Sequence, residues 1–98
     1  MNPLLSNDNI IKINNILKKY PEIERVYLYG SRSLGNAKDG SDIDLSLVGN
    51  VSLELYAKIK MDLDDLYFPQ IFDLSIYNEI KSENLLKHIN QFGISIYP

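Results

Sequence analysis

Apolar residues recur with a helical period over "NDNIIKINNILKKY", residues 7–20, where Ile10, Ile13, Ile16, Leu17 and Tyr20 share one stripe. Ser6, Asn7 and Asp8 offer caps for this helix, Lys18 and Lys19 suit its C-terminal dipole, and Pro21 stops it. "RVYLYG" then reads as a strand, with β-branched and aromatic residues running to a glycine. "SRSLGNAKDG" is too polar for a strand and predicts a short helix from Ser31, then a loop through Gly35 and Gly40. "SDIDLSLV" alternates with a period of two: Ile43, Leu45 and Leu47 take one face, and Asp42, Asp44 and Ser46 the other. The longest helix is expected over "SLELYAKIKMDLDDLYF", capped by Ser52, with Leu53, Tyr56, Ile59, Leu63 and Leu66 on its stripe and Pro69 at its end. "IFDLSIY" is a third strand, with Phe72, Leu74 and Ile76 opposite Asp73, Ser75 and Tyr77. "SENLLKHINQF" is a last helix capped by Ser82, and "GISIY" a short extended end. The order α-β-α-β-α-β-α predicts an α/β (α+β) fold, a small mixed sheet with helices packed on it, as one domain over residues 1–98.

Composition narrows the function. The 98 residues are 45% apolar, enough for a small core. A domain of this size buries only about 60–65% of its unfolded surface, so a partner protein, or self-association into a homodimer, would help it. The net charge of −3 argues against direct DNA binding, which needs a basic face to displace counterions. It does not exclude a nucleotide that arrives with its own cation. Cysteine is absent, which removes disulfides and cysteine-ligated zinc and suits a reducing compartment. No apolar run approaches the roughly 20 residues that span a bilayer. "MNPLLSNDN" has neither a basic start nor an apolar stretch of signal-peptide length, so a cytoplasmic location with no membrane association is expected.

Asp42, Asp44 and Asp73 stand where strands are expected, and strands disfavour Asp. An unpaired carboxylate inside a protein costs several kcal/mol, so acids there call for a cation or strong donors. The period of two puts Asp42 and Asp44 on one face, and Asp73 joins them if the third strand lies beside the second. Three convergent carboxylates suit hard cations, and two such ions about 3.5–4 Å apart can clamp a phosphoryl group. The plain alternative is a solvated sheet face. A strand ending at Gly30 with a helix starting at Ser31 offers backbone N–H groups and a hydroxyl to an anion, with Arg32 and Lys38 as counter-charges. The plain alternative for Ser31 is a helix cap. His88, the single histidine, reads as a boundary residue rather than a ligand. Asp62, Asp64 and Asp65 read as a solvated helix face. Gly30 and Gly35 have P-loop spacing, but Asn36 and Ala37 replace the Lys and Ser/Thr it needs.

Gly30-Ser31, ten intervening residues, Asp42-x-Asp44 and a lone Asp on a later strand resemble the signature of the DNA polymerase β-like nucleotidyltransferase superfamily. The "GSRSLG" form, the "SDIDL" run, the short chain and the "FGISIY" end are similar to its minimal nucleotidyltransferases, or MNT domains, of antitoxin type. The resemblance covers nearly the whole chain. It implies a palm-like core, in which Asp42, Asp44 and Asp73 are catalytic and bind two Mg²⁺ ions, with Mn²⁺ as a substitute. Asp73 would also favour deprotonation of the acceptor hydroxyl. Gly30, Ser31 and Arg32 would bind a nucleoside triphosphate, ATP being expected, and the nucleoside monophosphate would pass to a hydroxyl with release of pyrophosphate. Leu34 stands where many relatives carry a second basic residue. A HEPN-type helical protein is the implied partner, adenylylated and silenced by this chain. The competing readings are a non-catalytic nucleotide-binding module and a stoichiometric antitoxin subunit.

Overall fold

A computed structural model describes residues 5–35 and 40–98. The elements run α1 (Asn7–Leu17), β1 (Ile23–Tyr29), α2 (Ser31–Leu34), β2 (Ile43–Gly49), α3 (Leu53–Asp64), β3 (Phe72–Ile76), α4 (Glu83–Phe92) and β4 (Ile94–Tyr97), with a 3₁₀ turn over Tyr77–Glu79. Serine starts each of the three longer helices. The hydroxyls of Ser6, Ser52 and Ser82 accept from the N–H groups of Asn9, Leu55 and Leu85 at 3.2, 3.1 and 3.2 Å, each satisfying a donor that the first turn leaves unpaired.

The strands form one mixed sheet in the order β3-β2-β1-β4. β1 is antiparallel to both β2 and β4, whereas β2 and β3 are parallel. A parallel pair cannot be joined by a tight turn, so α3 carries the chain back from the end of β2 to the start of β3. The predicted alternation holds on both strands: Ile43, Leu45, Leu47, Phe72, Leu74 and Ile76 are buried. With Val26 and Leu28 they pack against Ile13, Ile16 and Leu17 of α1 and Leu55, Ile59 and Leu63 of α3. Each such side chain contributes about 1.5–3 kcal/mol when fully buried. α4 meets the opposite side of the sheet, where its His88 faces Tyr29 and its Asn90 accepts from the Tyr77 hydroxyl at 2.6 Å. Among the described residues, no helix is long and apolar enough to cross a membrane.

"GISIY" is extended as expected and adds a strand to the predicted order: β4 is an edge strand on β1, and the Asn14 amide of α1 donates to the Ile96 carbonyl at 2.9 Å. Two expectations are corrected. The long helix stops at Asp64 instead of running to Phe68. Pro69 holds the residue before it out of helical backbone, and Tyr67 turns the chain with a positive φ of 55°. Leu66 and Phe68 still pack on the core from this turn. Finally, the buried stripe of α3 is Leu55, Ile59 and Leu63, and Leu53 is 79% exposed. Leu53 lies two residues from Leu55, which is about 200° around a helix, so both cannot face one sheet.

The stripe can be tested by truncation. Ile59→Ala should cost about 2–5 kcal/mol through lost burial and a residual cavity. Leu53→Ala should change stability by no more than about 0.5 kcal/mol. Urea unfolding of the two variants reads both, and equal losses would contradict the orientation of α3.

Candidate active site

The site is built by register. Tyr29 of β1 pairs with Asp44 of β2, and Asp44 with Asp73 of β3, so the three lie side by side across the sheet. One step further along, Ser46 pairs with Ser75. The alternation that sends Leu45 and Leu74 into the core turns Asp44, Ser46, Asp73 and Ser75 toward the face of α4. The Ser75 hydroxyl donates to Ser46 Oγ at 3.0 Å and lies 3.3 Å from the Tyr29 hydroxyl. This chain of hydroxyls satisfies Ser46, which is fully buried.

The acids do not share one environment. Asp44 is half-buried, whereas Asp42 and Asp73 are exposed, and Asp42 lies just ahead of β2 rather than within it. The desolvation cost expected for all three therefore falls on Asp44. Burial above all, then the charges of Asp73 and Asp42 and a hydrogen bond with Asp73, push its carboxyl up to about 6 against the pull of Arg32. Burial is likewise the main cause that raises the Tyr29 phenol, with smaller contributions from Asp44 and Asp73. Among the described residues, no three acid or imidazole side chains close on a common point to hold an ion. Asp44 and Asp73 are the adjacent pair, and their all-oxygen chemistry fits a hard divalent cation.

Gly30 is required for a reason the sequence did not show. Its φ is 75° and ψ −152°, backbone that side-chain-bearing residues rarely adopt. A Cβ there would overlap the Asp44 carboxylate oxygen and stand 3.3 Å from its Cγ. The open side of this glycine is taken by Asp44, in addition to any approach by a phosphate. Ser31 is the first residue of α2 and not its cap: Gly30 is the cap, with no side-chain hydrogen bond. Ser33, two residues on, donates its hydroxyl to the Gly30 carbonyl at 3.0 Å.

Arg32, expected to serve the nucleotide, is only 4% exposed. Its Nη2 donates to the Ser41 carbonyl at 2.8 Å and its Nε to the Asp42 carbonyl at 3.3 Å. It holds the backbone that leads into β2 while adding positive potential at Asp44. Lys38, the other expected counter-charge, lies outside the described residues.

Sequence reading missed two features. The hydroxyl chain had a signal, because Asp44-Leu45-Ser46-Leu47 and Asp73-Leu74-Ser75-Ile76 are near-repeats that pair in register. His88 had none: its Nε2 accepts from the Gly30 N–H at 2.9 Å, a contact between residues 58 apart.

The mixed sheet thus sets adjacent carboxylates on two parallel strands beside a Gly-Ser turn. Residues 11–98 match the family model Polymerase beta, Nucleotidyltransferase, and the chain belongs to that family and is a nucleotidyltransferase. No curated protein matches it. Solved structures share the fold. A toxin–antitoxin complex with AMP-PNP superposes with a TM-score of 0.75 at 23% identity, covering 91% of this chain and 73% of the other. The toxin–antitoxin MntA-HepT gives 0.68 at 21% identity, covering 94% and 72%. A tri-AMPylated Shewanella oneidensis HEPN toxin in complex with MNT antitoxin gives 0.62 at 19% identity, covering 89% and 70%.

Asp44 yields a pH dependence with a definite sign. Its carboxyl binds a proton more tightly folded, at about 6, than at its ordinary 3.8. The folded state therefore holds more protons between these values, and the stability from this group is complete below about pH 4 and lost by about pH 6. In chelator, the melting temperature of the wild type relative to Asp44→Asn should fall as pH rises from 4 to 7. A difference that stays flat, or rises, would contradict the clustering of charge on Asp44.

Proposed function

We propose that this chain is a metal-dependent nucleotidyltransferase that moves AMP from ATP to a hydroxyl on a HEPN-type helical partner and thereby acts as its antitoxin. The observation that carries the reading is the in-register pair Asp44–Asp73, set beside the Gly30-Ser31 turn. Its half-buried Asp44 and the exposed Asp73 repel each other and are short of positive charge, which is the electrostatic state expected of a divalent-cation site before the cation arrives. The similar folds solved with AMP-PNP, and with an AMPylated HEPN toxin beside its MNT antitoxin, support the nucleotide and the partner.

Asp42, Asp44 and Asp73 would hold two Mg²⁺ ions, which would supply charge neutralisation and polarise the phosphoryl oxygens. Asp42 and Asp73 are exposed, with room to turn toward the ions, while Asp44 is held by the sheet and the Gly30 turn. The Ser31 hydroxyl donates to a phosphate oxygen. The acceptor hydroxyl oxygen bonds to the α-phosphorus, the bond to the pyrophosphate breaks, and Asp73, facing the acceptor, takes the hydroxyl proton. Arg32 acts from beneath, by keeping Ser41 and Asp42 in place.

Transfer of the label from α-labelled ATP to a co-purified HEPN-type partner tests these roles. Asp42→Asn should abolish labelling while the fold is kept or slightly stabilised, since a like charge is removed from the cluster. Unchanged labelling in that variant would refute the metal-dependent reading, and binding of the partner without labelling by the wild type would favour a stoichiometric antitoxin. Asp73→Asn should lose turnover more than nucleotide affinity, and loss of affinity as deep as in Asp42→Asn would refute its acceptor-side role.

Ser31→Ala should weaken Mg²⁺-ATP binding by about 1–3 kcal/mol if the hydroxyl meets a charged oxygen. Calorimetric titration measures this, and full retention of affinity would remove Ser31 from the site.

A further inference from the structure

The Gly30 peptide is held from two sides. Asp44 lies against its Cα, and on its N–H side the amide donates to His88 Nε2 at 2.9 Å. A neutral imidazole accepts there only in the tautomer that carries its proton on Nδ1. The ring sits edge-on to Tyr29, with centroids 6.2 Å apart and planes at 72°, and 5.5 Å from the Phe92 ring. The next two residues anchor the helix beneath it: Ile89 is 1% exposed, and Asn90 accepts from the Tyr77 hydroxyl at 2.6 Å. His88 is therefore a fixed acceptor on a fixed helix, aimed at the one residue whose left-handed backbone makes room for Asp44.

We infer that His88 is a positioning residue for the nucleotide site, orienting the Tyr29-Gly30 peptide so that Ser31 and Asp44 stay on the same side of the turn. The inference rests on the proposed reading of Ser31 and Asp44 as groups that meet the triphosphate and its cation. Chemically, His88 touches neither, and acts only by accepting one hydrogen bond. Without it the Gly30 N–H turns to water, and the Tyr29-Gly30 peptide that leads into the turn gains orientations that carry Ser31 away from its place. Such freedom has to be lost again on binding, so it weakens the nucleotide complex more than it slows the chemical step.

Two variants and two readouts test this in the full chain with its partner. In His88→Gln the side-chain oxygen occupies the position of Nε2 and still accepts, whereas His88→Ala has no acceptor. The expected result for His88→Ala is faster hydrogen exchange at the Gly30 amide, read by ¹⁵N NMR, and a KM for Mg²⁺-ATP raised about threefold to tenfold, the loss of one neutral hydrogen bond. Turnover at saturating nucleotide should stay within about twofold, and His88→Gln should restore both exchange protection and KM. Faster exchange with unchanged KM, or equal KM values in the Ala and Gln variants, would overturn the positioning role while leaving the proposed function standing. A wild-type chain that neither binds Mg²⁺-ATP nor transfers from it would instead overturn the proposed function, and this inference with it.

Discussion

Asp44 stands beside Asp73 because β2 and β3 run parallel and in register, and the rest of the structure serves that pairing. A shift of one residue would turn either acid into the core and a leucine out to water, so the apolar faces of both strands specify the register as firmly as any polar contact. α3 spans the parallel connection and anchors it with Leu55, Ile59 and Leu63. Below the acids, the Ser46–Ser75 hydrogen bond, which the Tyr29 hydroxyl adjoins, gives each of three polar groups a partner in a covered part of the sheet.

The same pairing creates an electrostatic problem that the chain leaves unsolved. Burial and two neighbouring carboxylates make ionisation of Asp44 costly, and Arg32 offsets this only in part. Arg32 is itself committed to two backbone carbonyls ahead of β2. A ligand that relieves such a cost gains that much binding free energy, and the divalent cation proposed above would do so.

The C-terminal quarter completes the molecule. β4 covers the edge of β1 that would otherwise expose unpaired N–H and C=O groups. α4 lies over the face that carries the acids and ties itself to Gly30. The turn beside the acids is thus braced by segments far from it in sequence, and this gives Gly30, with no side chain of its own, a defined orientation.

The period-two alternation in "SDIDLSLV" and "IFDLSIY" was enough to separate acids from core positions, since a strand has only two faces. Serines ahead of three apolar stripes were enough to start three helices, because capping is a local interaction. Gly30-Ser31, Asp42-x-Asp44 and the later Asp73 together resembled a nucleotidyltransferase signature, and the family match agrees with that resemblance. Leu53 was misplaced because helical angle alone does not say which of two overlapping stripes meets the sheet. The extended state of β4 was legible but its place beside β1 was not, because that pairing spans most of the chain and leaves little trace in a short segment. Tertiary structure alone decided that Asp44 would carry the burial, that Gly30 must lack a side chain to admit it, and that Arg32 would turn inward. It also decided that His88 would accept from Gly30. Each of these depends on the distance between groups remote in sequence, a quantity that chain packing creates and local spacing does not contain.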